Sequence, residues 1–230
     1  MTEPDQTSWT HRPRRIGGGQ GVVAAQPTIS PVSRPPRGRP LSSELADRLM
    51  AVTIDILAED GWDRLNPDRI AARARAGKAG IYRRWPSKSA LVRQALNQCT
   101  LVAAPPDSST LCGDLSALLE LWQRPLDQAE RAAASLLGAA LHDEELRAAL
   151  EESLVQPLSD VVHELSDREA QRGRLLPPPR VKVLAAVVQA LWWQRYTEPG
   201  ATPLSTERVQ EIIDQVLLPI GKTQIVGRSN

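Results

Sequence analysis

From Leu45 to Leu217 apolar residues recur at intervals of three and four, and no stretch shows the alternation of a half-buried strand. That pattern restricts the chain to an all-α architecture of about nine helices. Leu45, Leu49, Val52 and Ile56 mark a helix that starts at Ser42 or Ser43 and stops at Gly61. Asn66-Pro67 reads as an N-cap followed by proline at the first helical position, opening a short helix with Ile70, Ala71 and Ala74 inward. Arg75-Ala76-Gly77 forms a turn, a third short helix runs from about Lys78 to Arg84, and Pro86-Ser87 caps a fourth carrying Leu91, Ala95 and Leu96.

Beyond Pro105 the reading is helical to the end. Leu115, Leu118, Leu119 and Trp122 mark one helix, and Ala132, Leu136, Leu137 and Ala140 the next. Leu146, Leu150, Leu154, Leu158, Val161 and Leu165 mark a long helix expected to bend at Pro157. Val181 to Tyr196 is apolar nearly all round, which implies burial on more than one side. The last helix, capped at Ser205, shows Val209, Ile212, Ile213, Val216 and Leu217 and is expected to end before Pro219.

Residues 1–40 hold seven prolines and five glycines, too little apolar surface to order themselves, and are expected to form a disordered basic arm. Gly19-Gln20-Gly21-Val22-Val23-Ala24 fits a nucleotide-binding fingerprint, but no strand precedes it and Pro27 closes off the helix it needs. It reads as linker. Charge is uneven along the chain: six arginines against two acids in 1–40, ten basic against seven acidic groups in 41–95, and twelve against eighteen beyond. A basic, polyanion-facing N-terminal end therefore precedes an acidic body. Arg37 and Arg39, in the strip 34–40, read equally well as solvated charges or as phosphate and minor-groove contacts.

The longest apolar run, Val183 to Trp193, is interrupted by Gln189 and too short to span a bilayer. The N-terminus lacks a signal-peptide core, so a cytoplasmic location is expected. Cys99 and Cys112 match no zinc spacing. No P-loop, H-E-x-x-H, G-x-S-x-G or paired-carboxylate motif appears, so neither catalysis nor a cofactor is expected.

Two short helices joined by a tight turn, with small alanines at their crossing and a basic second helix, describe a helix-turn-helix over about 66–85. Spacing alone leaves this reading close to that of an ordinary helical hairpin with a solvated basic face. The residues themselves go further. Ile70-Ala71-Ala72-Arg73-Ala74, followed by Lys78-Ala79-Gly80-Ile81-Tyr82-Arg83-Arg84-Trp85-Pro86-Ser87-Lys88-Ser89-Ala90-Leu91, strongly resembles the tetracycline-repressor (TetR) family over roughly residues 41–95. The resemblance implies a homodimeric, ligand-responsive repressor acting on double-stranded DNA at a palindromic operator. It also implies that Tyr82 and Lys88 grip phosphates while Lys78, Gly80 and Arg83 face bases or backbone, with Arg84 beside them. Family members usually place glycine in the turn, serine or threonine at the next cap, and a polar residue such as threonine within the recognition helix. Here those positions are Arg75, Gly77 and Gly80. A left-handed Arg75 costs on the order of 1 kcal/mol, and Gly80 about 1 kcal/mol relative to alanine.

The expected organisation is thus an arm (1–40), a three-helix DNA-binding domain (41–103) and a helical ligand-binding and dimerisation domain (104–230). Cys99, Trp122, Leu158 and Trp192 are the candidate lining for a small apolar or amphipathic effector, although core or dimer-interface packing is the favoured reading for two of the three tryptophans Trp122, Trp192 and Trp193. His142 and His163 read as solvated surface. A constitutive architectural DNA-binding protein with a degenerate sensor is the alternative function.

Overall fold

The structure, a computed structural model, describes residues 43–103, 105–198, 203–222 and 224–225. Among these, α1 (Ser43–Asp60), α2 (Pro67–Arg73), α3 (Lys78–Arg84) and α4 (Lys88–Leu96) come first. Next come α5 (Leu111–Leu119), α6 (Gln128–Ala134), α7 (Leu137–Ala140), α8 (Glu144–Leu150), α9 (Gln156–Gln171) and α10 (Pro178–Thr197). The series ends with α11 (Thr206–Ile212) and α12 (Leu218–Ile220). Because α6 runs almost unbroken into α7, α8 into α9 and α11 into α12, the described segments group into the nine helices expected. One small departure from an all-helical chain appears. β1 (Arg174–Leu175) pairs antiparallel with β2 (Gln224–Ile225).

Local chemistry sets the helix ends. Gly61 terminates α1 at φ 79°, a left-handed conformation that a β-carbon would penalise. The Asn66 side chain accepts from the backbone N–H of Arg69 at 2.9 Å, with Pro67 beginning α2. The Ser87 hydroxyl accepts from Ala90 N–H at 2.9 Å and starts α4. Asp127 and Glu130 cap the start of α6 reciprocally.

Two prolines sit inside continuing helices. Between α8 and α9 the chain makes a π-turn, Glu151–Val155, in which Gln156 N–H donates to the Glu151 carbonyl five residues back. Between α11 and α12 the same device recurs at Ile213–Leu217, with Leu218 N–H donating to Ile213. Each lies just before a proline, Pro157 or Pro219. In a regular α-helix the proline ring would press on the carbonyl four residues back; the wider turn relieves that contact. Leu154 and Leu158 on one side, and Ile213 and Leu217 on the other, are at most 1% exposed, so burial holds the helix together across each turn. The last helix therefore does not end before Pro219 but carries it.

The core is continuous from Leu49 in α1 to Leu217. In α10 only Val181, Leu184, Val188, Trp192 and Tyr196 are buried, one stripe at helical spacing. The expectation of burial on several sides is not met within one chain: Val183 is 50% exposed, and Ala186 and Ala190 are exposed as well. Where α5, α9 and β1 meet, the fully buried Asp114 accepts from Ser108 Oγ at 2.6 Å and faces Arg168 and Arg172.

Candidate nucleic-acid interface and ligand cavity

The head is built around α3. Ile81 is fully buried and Trp85, four residues on, is 2% exposed, so this pair faces the core of α1, α2 and α4. The Trp85 indole N–H donates to Gln94 Oε1 at 2.7 Å, which fixes the end of α3 against α4. With that stripe inward, Lys78, Ala79, Tyr82, Arg83 and Arg84 are exposed, and Gly80 is half-buried. The turn before α3 has Arg75 at φ 52°, the left-handed conformation that the sequence required of a non-glycine residue there.

The arginines around α2 and α3 fall into two sets. One set braces the fold. Arg73 makes a two-pronged contact with Glu59 at 2.5 and 2.7 Å, while Arg69 and Arg64 both meet Asp60. These pairs lock α2 and the segment before it to the end of α1. The second set faces outward. Among the described residues Arg75, Arg83 and Arg84 make no ion pair, and all three are exposed.

Lys78 and Lys88 fall between the two. Lys78 pairs with Asp68 at the start of α2, with both side chains more than half exposed. Such a pair contributes about 0–1 kcal/mol, so a phosphate or base edge competes easily for the lysine. Lys88 is more committed. Its ammonium lies 3.6 Å above the Trp62 ring and donates to the Trp62 carbonyl at 3.4 Å. Burial pushes its pKa below the ordinary lysine value, against the pull of Asp63 and Asp143. Arg37 and Arg39 lie outside the described residues.

Gly77 begins α3 in an extended conformation, φ −83°, without a side-chain cap, and nothing lies within 4 Å of where a β-carbon would stand. Gly77→Ser is therefore expected to stabilise the head by a few tenths of a kcal/mol or more. It supplies a cap and removes freedom from the unfolded chain. Thermal unfolding checks this; an unchanged or lower midpoint would show that the cap position needs glycine.

Besides the shared apolar core, polar bonds link head to body. Ser87 Oγ donates to Glu145 at 2.8 Å and Ser89 Oγ to Asp143 at 2.5 Å. Further along, Arg93 Nε and Asn97 Nδ2 both donate to Glu152 Oε2 at 2.9 Å, and these bonds hold the Glu152 carboxyl down at about 2. So α4 is latched along its length to α8 and the π-turn after it. Nothing local signals this latch, because its partners are 54 to 59 residues apart.

In the body the four candidate ligand residues separate. Trp122 and Trp192 meet edge to face, ring centres 4.3 Å apart. Trp122 lines a cavity of about 330 Å³ with Leu126, Leu191, Arg195, Arg208 and Ile212. Trp192 is fully buried behind it. Cys99 instead borders a separate cavity with Glu152 and Pro157, and burial raises its thiol pKa, which disfavours the reactive thiolate. Leu158 is 1% exposed in the core and lines neither cavity.

Behind the Trp122 cavity lies a buried charge cluster that sequence reading missed. Glu130, 1% exposed, accepts from Arg124 Nη1 at 2.7 Å, from Arg195 Nη2 at 3.3 Å and from Asp127 N–H at 2.8 Å. Only the Asp127–Glu130 capping box was readable locally. Both histidines with sequence-based readings, His142 and His163, are exposed. Among the described residues no group of three or more His, Cys, Asp or Glu is placed to hold a metal, and no helix is long and apolar enough to cross a membrane.

Comparison with known proteins agrees with this geometry. Residues 49–95 match the family described as bacterial regulatory proteins, tetR family, and residues 105–216 match a tetracyclin repressor-like C-terminal domain. An uncharacterised HTH-type transcriptional regulator of Mycobacterium tuberculosis is 33% identical over 179 residues, covering 74% of this chain and 85% of its own length. The DNA-binding transcriptional repressor TetR of Mycobacteroides abscessus is 32% identical over 174 residues, covering 74% of this chain and 90% of its own. Among solved structures, the multidrug binding protein EbrR complexed with ethidium superposes with a TM-score of 0.57 at 21% identity, covering 76% of this chain and 98% of that one. The NalD repressor of a Pseudomonas aeruginosa efflux pump gives 0.53 at 24%, with 78% and 94% covered. At these identities the two structures speak for the fold alone.

Proposed function

This chain belongs to the tetracycline-repressor (TetR) family of helix-turn-helix transcriptional regulators, and on that premise we propose that it is a homodimeric repressor which a small apolar or amphipathic molecule releases from a palindromic operator. The observation that carries the reading is the division of the head's cations. Arg64, Arg69 and Arg73 are consumed in bracing, while Arg75, Arg83 and Arg84 are left facing outward around α3. In this geometry α3 enters the major groove, Arg83 reads bases or backbone, and Tyr82 supports it from the exposed face. Arg75 and Arg84 flank the groove, and the backbone at Gly77 and Gly80 approaches the phosphates without side chains in the way. Lys78 joins them on leaving Asp68, and Lys88 serves from the edge, at the cost of its position over Trp62.

A dimer supplies the two-fold symmetry that a palindrome needs. Val183, Ala186 and Ala190, with the half-buried Val187 between them, form a second apolar stripe on α10 that the monomer leaves largely uncovered, and Val216 on the last helix is 39% exposed. Pairing these faces would set two recognition helices about 34–36 Å apart, one turn of DNA. Light scattering is expected to give the mass of two chains at micromolar concentration; a monomer would remove the basis for paired half-sites.

Release would act through α4, whose start carries the DNA-facing head and whose length is latched to α8. A ligand shifts this element only if it binds the DNA-incompetent arrangement more tightly. The coupling expected is about 1–3 kcal/mol, a change of roughly 5–150-fold in operator affinity. The test is selection of bound sites from random duplex DNA, followed by calorimetry of a releasing compound with and without the selected operator. Since coupling is reciprocal, operator must weaken ligand binding by the same factor. Enrichment of no sequence, with equal binding to any duplex, would instead favour a constitutive architectural protein. Such a protein would work beside DNA in the cytoplasm without catalysing a reaction.

A further inference from the structure

The cavity beside Trp122 has one wall that an apolar effector would not use. Arg195 lines it with a side chain only 7% exposed. Its Nη1 donates to the Arg124 carbonyl at 3.2 Å and its Nη2 to Glu130, but its Nε–H is buried and has no partner among the described residues. Guanidinium nitrogens only donate, so this site calls for an acceptor, and charge-assisted acceptors bind about twice as strongly as neutral ones. The surrounding charge points the same way. Arg124, Arg195 and Arg208 reach the cavity against one lining carboxylate, Glu198. Of these, Arg124 and Arg195 share the single buried Glu130, and Arg124 also meets the exposed Asp127. Arg208 is held only by an exposed contact to Glu211, three residues on, and is free to turn inward.

Opposite this cationic wall the lining is apolar: Leu126, Leu191 and Ile212, with the Trp122 ring. A volume of about 330 Å³ lies at the small end of ligand sites, which suits one or two rings rather than a large drug. We propose that the cavity takes an aryl carboxylate, its ring against Trp122 and Leu191 and its carboxylate on Arg195 Nε–H, with Arg208 closing over it. The inference rests on reading the body as a sensor and names the ligand class it senses.

Full-length protein titrated by calorimetry with 1-naphthoate and with its neutral isostere 1-naphthamide tests the charge requirement. Naphthoate is expected to bind roughly tenfold or more tightly than the amide, the effect of one charge-assisted hydrogen bond. Arg195→Lys keeps a positive charge but loses the buried Nε–H, and is expected to cost roughly tenfold for naphthoate with little change for the amide. Because that residue also packs on Glu130, Arg208→Gln, on the exposed rim, serves as the second variant, with an expected loss of about threefold. Equal affinity for acid and amide, no binding of naphthoate, or wild-type affinity in both variants would overturn the proposal. Operator retention measured on the same samples separates the two readings. Naphthoate bound at Arg195 without effect on operator affinity supports the site and sinks the sensor role. Operator released by a neutral compound while naphthoate fails to bind does the reverse.

Discussion

Replacement of Glu130 by alanine is expected to destabilise the chain by roughly 3–5 kcal/mol, the cost of breaking a buried ion pair from one side. In a chain of this size that lowers the thermal midpoint by roughly 6–20 °C. The magnitude follows from what the carboxylate holds. It accepts from Arg124, from Arg195 and from the Asp127 backbone, at 1% exposure, and so joins α6, the segment before it and α10. Removing it leaves the Arg195 guanidinium, 7% exposed, without its counter-charge. Arg124, at 39%, suffers less because water reaches it. The Tyr196 hydroxyl, buried nearby without a hydrogen-bond partner among the described residues, gives no substitute acceptor of comparable strength. Glu130→Gln keeps shape and one acceptor oxygen and is expected to cost less, roughly 1.5–3 kcal/mol. Glu130→Leu combined with Arg195→Met removes both buried charges and is expected to recover much of the loss. A change below about 1 kcal/mol for the alanine variant would mean that water screens the cluster and that it does not tie α6 to α10.

That cluster also shows where the sequence stops being readable. Features fixed by neighbours a few residues apart were legible: Asn66-Pro67 opening α2, Gly61 closing α1, and Arg75 taking the left-handed turn. The interhelical pairs were not, since Glu130 and Arg195 are sixty-five residues apart and nothing local in either residue names the other. The end of the last helix was misread for a different reason. A proline rule predicts a bend or a stop, but buried leucines and isoleucine on both sides make continuing the helix cheaper than ending it, with the mismatch absorbed in one wide turn. The periodic pattern placed Trp122 and Leu158 on inward faces, and Cys99 and Trp192 joined them as candidate lining. Facing inward does not specify which cavity, and only Trp122 came to line the one beside Arg195.

Duplex DNA binding is expected to weaken by roughly a thousandfold or more between about 50 and 200 mM salt, if a dimer neutralises about six phosphates. The count takes Arg75, Arg84 and Lys88 on each of two heads as the phosphate contacts, and corresponds to a slope near −5 in a plot of log affinity against log salt. Each arginine on phosphate is present twice, so Arg84→Ala is expected to flatten the slope by about two and weaken all sequences alike. Arg83 on a base edge behaves otherwise: Arg83→Ala then costs about 1–3 kcal/mol at one half-site position and relaxes the preference there, with a smaller change in slope. Asp68→Asn provides the internal control. It frees Lys78 from its exposed pair, worth at most about 1 kcal/mol, so binding should tighten slightly if Lys78 reaches DNA and stay unchanged if it does not. Arg73→Ala should act through folding, since Arg73 is spent on Glu59. It is expected to lower the stability of the head without a matching loss of slope. A slope near zero, or one insensitive to Arg75, Arg83 and Arg84 together, would show that this face of α3 does not meet the phosphate backbone. The division of the head's cations into braces and contacts would then be wrong.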